Sequence, residues 1–412
     1  KDVELDGSSN IPWMPKADTV LCLNGHKITK NGGGDVIYVL QNVTFTLCDC
    51  KGGKPAYGQI THAEGQTGGG VMVKGGTFYM YGGSITQNKT SNGKCGGGVY
   101  MEGGKFYLYG GEITGNEAAM GGGVYMGNSS TFEMTGGSIT KNKISNGGGG
   151  VFALGAFTMN GGEISGNTVK ATSGGASADG GGVYVGTSGT FTMNGGAKIA
   201  NNTVDHNGGG VYVFGQGRFN MTGGTIGGTK SGEANTANYG GGVYADSIGA
   251  INMTSGEISG NEATQDGGGV YVNKGMFTMN GGGIAKNTAA SAGGGVFARL
   301  NGTFTMNGGE ISGGNNAAEG GGVYASGTFT MNGGEISGSN ATTGGGVYVY
   351  GEFNMSGGKI RVNAADEKGG GVYVDPNGMF TVSGSVTVLE NTKNGGANNV
   401  YLVSRRNSIT IG

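Results

Sequence analysis

Short stretches in which apolar and polar residues alternate recur along the chain, and each is closed by glycine or asparagine. Valines flank a tyrosine in GGGVYV at residues 180–185, and Phe and Met alternate with threonine in TFTM at residues 190–193. This period of two is typical of β-strands that bury one face. A third segment of each repeat carries one isoleucine, from Ile85 to Ile360. The pattern therefore predicts three short strands in every repeat.

The repeats have a regular length. The string GGGV occurs twelve times and spans 301 residues in eleven steps, a mean of about 27 residues per repeat. One repeat offers about five inward apolar side chains, too few to offset the entropy of ordering it alone, so repeats must stack on one another. The valines that end the string are Val71, Val99, Val124, Val151, Val183, Val211, Val243, Val270, Val296, Val323, Val347 and Val372.

Stacked coils of three strands describe an all-β fold, a right-handed parallel β-helix (a three-strand solenoid) of roughly 14 coils. We expect residues 1–60 to form an N-terminal cap and the first irregular coils, and residues 61–394 to form the twelve-repeat β-helix. Residues 395–412 are expected to form a last partial coil. The alternating pattern is still running at Gly412, which indicates that the natural chain continues.

Stacking turns each repeat position into a column that runs from coil to coil. Asparagine recurs three residues after the isoleucine, and its side chain can hydrogen-bond its own copy in the next coil. We therefore expect an internal amide ladder, with the GGG clusters at corners that need positive φ or close backbone approach. The register wavers at Thr229, Gly314 and Ser339. The asparagines of the column are Asn88, Asn116, Asn142, Asn167, Asn202, Asn261, Asn287 and Asn363.

Composition and charge narrow the class of protein. Glycine supplies 100 of 412 residues, which argues against a conventional globular domain, and clustered glycines with only 4 prolines exclude collagen. With 25 basic and 27 acidic side chains the net charge is -2, so we expect no nucleic-acid partner. The chain lacks a run of eighteen apolar residues, so we expect no membrane insertion, and no motif predicts a cofactor.

The cysteines leave three possibilities open. Cys22 and Cys48 are 26 residues apart, about one coil, so we expect them on adjacent strands with Cys50 close by. A disulfide, free thiols and a metal site are all compatible with this placement. Zinc sites prefer CxxC pairs with matched partners, and CDC with a distant Cys95 fits that pattern poorly, so no metal ligands are assigned.

The repeat motifs carry a resemblance. The cycle GGGVYV to GTFTMNGGEISGN between Val71 and Val386, with the lead-in strings VLCLNGHKI and VTFTLCDC, resembles the β-helix repeat regions of large surface proteins from gut-dwelling Gram-positive bacteria. The strings FTMN and GGGV are also similar to the FxxN and GGA(I/L/V) motifs of chlamydial polymorphic membrane adhesins. The resemblance implies secretion, display on the bacterial cell surface and often adhesion. It supplies no catalytic residue.

An enzyme is the alternative function, because polysaccharide lyases and some glycoside hydrolases are parallel β-helices, although fold alone does not decide activity. Glu310 and Glu335 occupy adjacent coils, and carboxyl groups about 5 Å apart are what retaining glycosidases use. The same column holds serine, threonine or lysine in other coils, which indicates a solvated edge, so no catalytic residue is assigned. The glutamates of this column are Glu112, Glu163, Glu257, Glu310 and Glu335.

An aromatic residue follows GGGV in most repeats. If the flanking valines point inward, these rings point outward as a strip suited to stacking on sugars or docking a protein, or as a self-stacking ladder that stiffens the sheet. The residues are Tyr100, Tyr125, Phe152, Tyr184, Tyr212, Tyr244, Tyr271, Phe297, Tyr324, Tyr348 and Tyr373.

Unequal loop lengths suggest where a ligand would bind. The loops at 168–179 and 229–239 are longer than the others, and insertions on a rigid scaffold often carry function. We expect a shallow groove walled by these loops, with a tyrosine floor and polar partners. Its candidate ligand-binding residues are Tyr184, Tyr212, Tyr244, Tyr239, Asp205 and His206.

Together these features predict a secreted adhesin or interaction module of the bacterial cell surface, without catalytic activity, that recognises a glycan or a protein on a host or neighbouring cell. Ice binding through Thr-x-Thr ranks is disfavoured, because bulky Tyr79 and Tyr107 interrupt the face. The oligomeric state is left open.

Overall fold

The computed structural model describes residues 1–6, 11–51, 57–91, 93–170, 178–403 and 409–411. These residues form strands and turns, with no helix among them, so none belongs to a helix that could cross a membrane. The predicted fold class is confirmed: the chain is an all-β solenoid of about 14 coils with mostly parallel sheets. It divides into two compact units, residues 1–205 and residues 206–412.

Strands of the first unit repeat in four columns, named here the valine, phenylalanine, isoleucine and alanine strands after their buried residue. The early strands are Val3–Leu5, Thr19–Cys22, Lys27–Lys30, Ile37–Leu40, Thr44–Cys48 and Gln59–His62. Valine strands are Val71–Met80 and Val99–Leu108, which continue into the phenylalanine column, then Val124–Met126, Val151–Ala153 and Val183–Val185. Phenylalanine strands are Ser130–Met134, Ala156–Met159 and Thr190–Met193. Isoleucine strands are Ser84–Thr86, Glu112–Thr114, Ser138–Thr140, Gly162–Ser165 and Ala197–Ala200, and alanine strands are Glu117–Met120, Lys143–Gly147, Thr168–Val169 and Thr203–Val204.

The second unit has the same four columns. Valine strands are Val211–Val213, Val243–Asp246, Val270–Asn273, Val296–Ala298, Val323–Ala325, Val347–Val349, Val372–Val374 and Val400–Leu402. Phenylalanine strands are Met276–Met279, Thr303–Met306, Thr328–Met331 and Ile409–Ile411, and four more run on into the isoleucine column, namely Arg218–Gly227, Ala250–Ser259, Glu352–Arg361 and Met379–Leu389. The separate isoleucine strands are Gly283–Ala285, Glu310–Ser312 and Glu335–Ser337. Alanine strands are Thr236–Tyr239, Glu262–Asp266, Thr288–Ala289, Asn316–Glu319, Asn340–Thr343, Ala364–Lys368, Thr392–Lys393 and Gly396–Ala397.

The alanine strands add a fourth short strand to the three predicted for each coil. They form a sheet of their own, and most of them bury one apolar side chain, such as Ala118 or Ala263. The sequence pattern missed them because a single small apolar residue between polar neighbours gives no recognisable period.

The core consists of identical side chains stacked from coil to coil. Val99, Val124 and Val151 have no exposed surface, and the phenylalanines beside them stack in parallel. Ring centroids are 4.8 Å apart for Phe78 and Phe106 and 4.7 Å apart for Phe106 and Phe132. This is the spacing of parallel strands, so every coil places its side chains directly over those of the previous coil.

The predicted asparagine ladder is confirmed. From Asn116 to Asn202 each side-chain oxygen of the ladder accepts two hydrogen bonds. Asn142 Oδ1, for example, accepts from the backbone amide of Asn116 at 3.0 Å and from its Nδ2 at 3.1 Å. The Nδ2 group of Asn142 donates to the carbonyl of Ile113 and to Asn167 Oδ1, both at 3.0 Å. All four hydrogen-bonding positions of this buried amide are therefore filled, which is what burial of a polar group requires.

Two of the three register breaks are repaired by the fold. Asn235 and Asn315 occupy the ladder where the simple count from isoleucine gives Thr229 and Gly314. Ser339 does stand in the ladder, and its hydroxyl oxygen is buried without a hydrogen-bond partner among the described residues. The first unit's ladder ends at His62, whose Nδ1 lies 2.8 Å from Asn88 Oδ1.

Residues near the N-terminus pair with the first coils, while the predicted cap and the boundaries at residues 60 and 394 stay predictions. Trp13 pairs with the backbone of residues 36–38, and its ring meets Phe45 edge-on at 5.7 Å. The ammonium group of buried Lys30 donates to the carbonyl of Ile11 at 2.7 Å. Strands from Thr19 onward already pair in register with the repeats that follow.

The GGG corners need glycine for both predicted reasons. Gly96 has a φ of 70°, in the left-handed region. Gly98 lies so close to the next coil that a Cβ would stand 2.5 Å from Ile113 Cγ2 and 2.6 Å from the carbonyl oxygen of Gly123. Glycine at both positions lets the chain turn and the coils close on one another.

Candidate functional site

The aromatic residues after GGGV form stacked ladders. In the first unit the ring centroids of Tyr100 and Tyr125 are 5.1 Å apart, and those of Phe152 and Tyr184 are 4.5 Å apart. In the second unit Tyr244 and Tyr271 stack at 4.8 Å with planes 6° apart. Each interior ring thus has a neighbour on both faces. Of the two alternatives predicted for this column, the structure shows the self-stacking ladder of rings.

The expectation that these rings lie open to solvent is wrong for much of the column. The valines do point inward, but Tyr212 and Tyr244 are only 3% and 5% exposed. Neighbouring rings cover their faces, and other chain segments cover the edges of the column. Tyr239, for example, meets Tyr271 edge-on at 5.4 Å. A ligand cannot stack on ring faces that are already occupied.

Hydroxyl groups of the column have partners of their own. The hydroxyl of Tyr212 donates to Asp246 at 3.0 Å, and that of Tyr348 donates to Asp375 at 3.1 Å. Burial raises the pKa of Tyr271 and of Tyr324, because the ionised form loses hydration inside the wall.

The six residues predicted for the groove belong to both units. In the first unit Tyr184 is half-buried against Phe152, and Asp205 is exposed. In the second unit His206 is exposed, and its Nδ1 lies 2.9 Å from the side-chain amide nitrogen, Nδ2, of Asn207. Tyr239 there is half-buried. Ligand binding by these residues stays a prediction.

Of the two long loops predicted, only the one at 229–239 lies wholly within the described residues, and it protrudes less than predicted. Most of the loop at 168–179 falls at residues 171–177, which lie outside the described residues, while Thr168–Val169 is a regular alanine strand. In the loop at 229–239, Asn235 joins the ladder and Thr236–Tyr239 is an alanine strand. Eight residues, 227–234, separate Ile226 from Asn235 where a regular repeat has two, and the chain then returns to register.

An exposed tyrosine cluster, defined as Tyr79, Tyr81, Tyr107 and Tyr109, lies on the outer face of the first unit. Tyr79 stacks on Tyr107 with ring centroids 4.9 Å apart, and Tyr81 stacks on Tyr109 at 4.8 Å. The ring centroids of Tyr79 and Tyr81, which follows the end of the same strand, are 6.4 Å apart. Tyr81 and Tyr109 are 54% and 42% exposed. The four parallel rings form a two-by-two block with their edges toward solvent.

In the sequence, Tyr79 and Tyr107 stand out only as bulky residues that interrupt the Thr-x-Thr ranks, and Tyr81 and Tyr109 are not distinguished. The outward positions of the phenylalanine strands hold threonine and asparagine in most coils, as in Thr158 and Asn160. Two consecutive coils hold tyrosine at both positions instead. That doubled departure from the repeat was the signal that could have found the cluster.

One of the two glutamates considered for a glycosidase site, Glu335, already forms an ion pair. Glu310 and Glu335 are paired in register on adjacent isoleucine strands, as predicted. Arg361 Nε lies 2.9 Å from Glu335 Oε1, so this carboxylate forms an ion pair. The ion pair ties Glu335 to a neighbouring side chain, which weakens the case for a catalytic pair of carboxylates here.

The cysteines near the N-terminus lie together. Cys22 and Cys50 form a disulfide with Cα atoms 6.1 Å apart. The Sγ atom of Cys48 lies within 4.8 Å of theirs but is a free thiol, as is Cys95. Of the three possibilities left open, the structure contains the disulfide.

Comparison with protein-family models, curated proteins and solved structures finds no match. The molecule's own geometry is therefore the basis for proposing a function.

Proposed function

We propose that this chain is a secreted, noncatalytic adhesin or interaction module of a bacterial surface, and that it recognises glycans. The exposed tyrosine cluster carries the proposal. Tyrosine combines a rigid apolar ring with a hydroxyl group, and such side chains suit a ligand that has both apolar C–H faces and hydroxyls. Contiguous exposed aromatic surface on a soluble protein commonly marks a binding site.

The surroundings of the cluster support a neutral ligand. Its neighbours in the same columns are Thr46 on one side and Glu133 on the other. The carboxylate of Glu133 accepts a hydrogen bond from Asn160 Nδ2 at 3.0 Å, so it is already engaged. Partial desolvation and the neighbouring Tyr81 and Glu133 raise the pKa of Tyr109 above the ordinary value of 10.0, so its hydroxyl is neutral at physiological pH. A surface of neutral hydroxyls favours carbohydrate over a charged partner.

Surface display rests on the repeat motifs alone. Their resemblance to β-helix regions of Gram-positive surface proteins and of chlamydial adhesins implies export and attachment to the cell. Stacked coils suit that role, because they repeat outward side chains in register and so can build a recognition surface.

The test is retention on immobilised glycans, mucins and host surface proteins, with products measured in the same samples. The informative variant carries Tyr79→Thr, Tyr81→Asn, Tyr107→Thr and Tyr109→Asn, which restores the side chains that other coils tolerate. A control variant carries Thr278→Ala, Thr305→Ala and Thr330→Ala on the same face of other coils.

Glycan retention without turnover that falls at least tenfold in the tyrosine variant, and is unchanged in the control, supports the proposal. Retention of proteins alone contradicts glycan recognition. Release of sugar products that depends on Glu310 and Glu335 would establish the alternative, a polysaccharide lyase or glycoside hydrolase. Absence of any binding overturns the proposed function.

A further inference from the structure

The aromatic ladder of the first unit ends at Tyr100, one coil after a methionine. Met72 pairs in register with Tyr100 on one side and with Tyr38 on the other. Methionine therefore takes the place of a ring between two tyrosines. Two coil steps separate those tyrosines, about 9 to 10 Å at the usual strand spacing. One face of Tyr100 stacks on Tyr125, and on the other side its partner in register is the flexible Met72 rather than a ring.

A pocket of about 550 Å³ opens at this break, and its lining includes Tyr38, Met72 and Tyr100. That volume lies within the range of small-molecule binding sites. In the described coils of the first unit, Tyr125 and Phe152 have a ring stacked on each face, so a ring face open to a ligand is expected where the ladder stops. The break at Met72 supplies such an end.

Polar groups surround the apolar walls. The pocket is also lined by Asp35, Thr90, Ser91 and Lys94. Asp35 Oδ1 accepts a hydrogen bond from the backbone amide of Gly69 at 2.8 Å, which fixes the carboxylate at the edge of the pocket. Hydroxyl, ammonium and carboxylate groups around a ring face match a pyranose, whose faces carry C–H groups and whose edge carries hydroxyls.

We propose that this pocket, at the break of the aromatic ladder, binds a single pyranose unit of a glycan, stacked against Tyr100 and held by Asp35 at its edge. The proposal rests on the proposed glycan recognition and adds a second site to it. The exposed tyrosine cluster would contact the chain of the glycan, and the pocket would take one sugar ring.

Met72→Tyr is the decisive variant, because tyrosine is the side chain that other coils already place in this column. The new ring would continue the ladder and fill the pocket while preserving the fold. Met72→Leu is the matched control, since it keeps the gap. Asp35→Asn tests the polar contact separately.

Cys95 provides a readout that is independent of affinity measurements. This free thiol lines the pocket, and burial raises the pKa of the thiol, so it reacts slowly with alkylating agents. A bound sugar would slow its alkylation further, while Cys48, the other free thiol, serves as an internal reference.

The experiment titrates methyl pyranosides into the whole chain and follows Cys95 alkylation by mass spectrometry and the Met72 methyl signal by NMR. We expect at least a threefold protection of Cys95 by one or more sugars, lost in Met72→Tyr and kept in Met72→Leu. If glycan arrays retain the protein but no pyranoside protects Cys95, or if Met72→Tyr keeps the protection, the pocket proposal is wrong and the proposed function stands. If flat aromatic amines protect Cys95 and sugars do not, the ligand class is wrong. If neither arrays nor pyranosides bind, the proposed function itself fails.

Discussion

Individual buried amides show how polar residues are tolerated inside this solenoid. A full rung of the ladder, such as Asn142, donates twice and accepts twice, so burial leaves none of its side-chain groups without a partner. Ser339 is the exception, because its side chain is too short to bridge to both neighbouring coils. Its backbone amide still donates to Asn363 Oδ1 at 3.0 Å, but its hydroxyl oxygen is unpaired.

Replacing Ser339 with asparagine is expected to stabilise the protein by about 1 kcal/mol or more, since the new amide would pair with both neighbouring rungs. Urea unfolding of the wild type and Ser339→Asn measures the difference. Ser339→Ala is the control, because it removes the unpaired hydroxyl without adding a rung. If the asparagine variant is no more stable than the alanine variant, the missing rung has not formed.

At the scale of elements, the aromatic column behaves as a stiffening wall. Ring centroids repeat at 4.8 Å for Tyr271 and Phe297 and again for Phe297 and Tyr324. Phenylalanine at residue 297 shows that the ladder does not require the hydroxyl. The tyrosine hydroxyls therefore make the stability of the ladder depend on pH, which ring stacking alone would not.

Stability is expected to fall above about pH 10. Burial raises the pKa of Tyr271 and Tyr324 in the folded state above the ordinary value of 10.0. Below pH 10 both tyrosines are protonated in the folded and in the unfolded state, so their contribution to stability is fully present. Above it the unfolded state ionises first, and stability declines as the pH rises toward the folded pKa. Urea unfolding between pH 8 and pH 11.5 should show a shallower decline for Tyr271→Phe with Tyr324→Phe than for the wild type. If the free energy of unfolding falls equally steeply with pH in the wild type and in this double variant, the two hydroxyls are not the cause.

The elements of the candidate sites were predictable to different degrees. The alternation places Val243 inward and Tyr244 on the opposite face, and the structure agrees. It does not say whether the opposite face is covered, because that depends on chain segments from elsewhere in the coil. The pocket beside Met72 was missed for the same reason: a methionine in a tyrosine column matters only once stacking places a ring on either side of it.

At the scale of the molecule, each coil depends mainly on its neighbours, so disturbances are expected to stay local within a unit. The disulfide between Cys22 and Cys50 closes a segment with a sequence separation of 28 at the start of the first unit. A loop of that length is expected to contribute about 3 to 4 kcal/mol by restricting the unfolded chain.

Removing this disulfide with Cys22→Ser and Cys50→Ser is expected to increase amide hydrogen exchange in residues 19–48 and to leave residues 124–160 unchanged. Hydrogen exchange followed by mass spectrometry measures both segments at once. Cys95→Ser is the control for loss of a cysteine outside the bond. Loss of protection that extends to residues 124–160 would show that the first unit opens as one cooperative body.

The amino-acid sequence by itself determined the coil, its length of about 27 residues, the inward valine, phenylalanine and isoleucine columns, and the buried asparagine ladder. These follow from local alternation repeated at a fixed interval, which no distant contact needs to specify. Only the tertiary structure decided which aromatic faces are covered, that Arg361 engages Glu335, that insertions return Asn235 to the ladder, and that a pocket opens beside Tyr100. Those outcomes depend on which side chains of neighbouring coils meet, and loops of unequal length hide that alignment from a linear sequence.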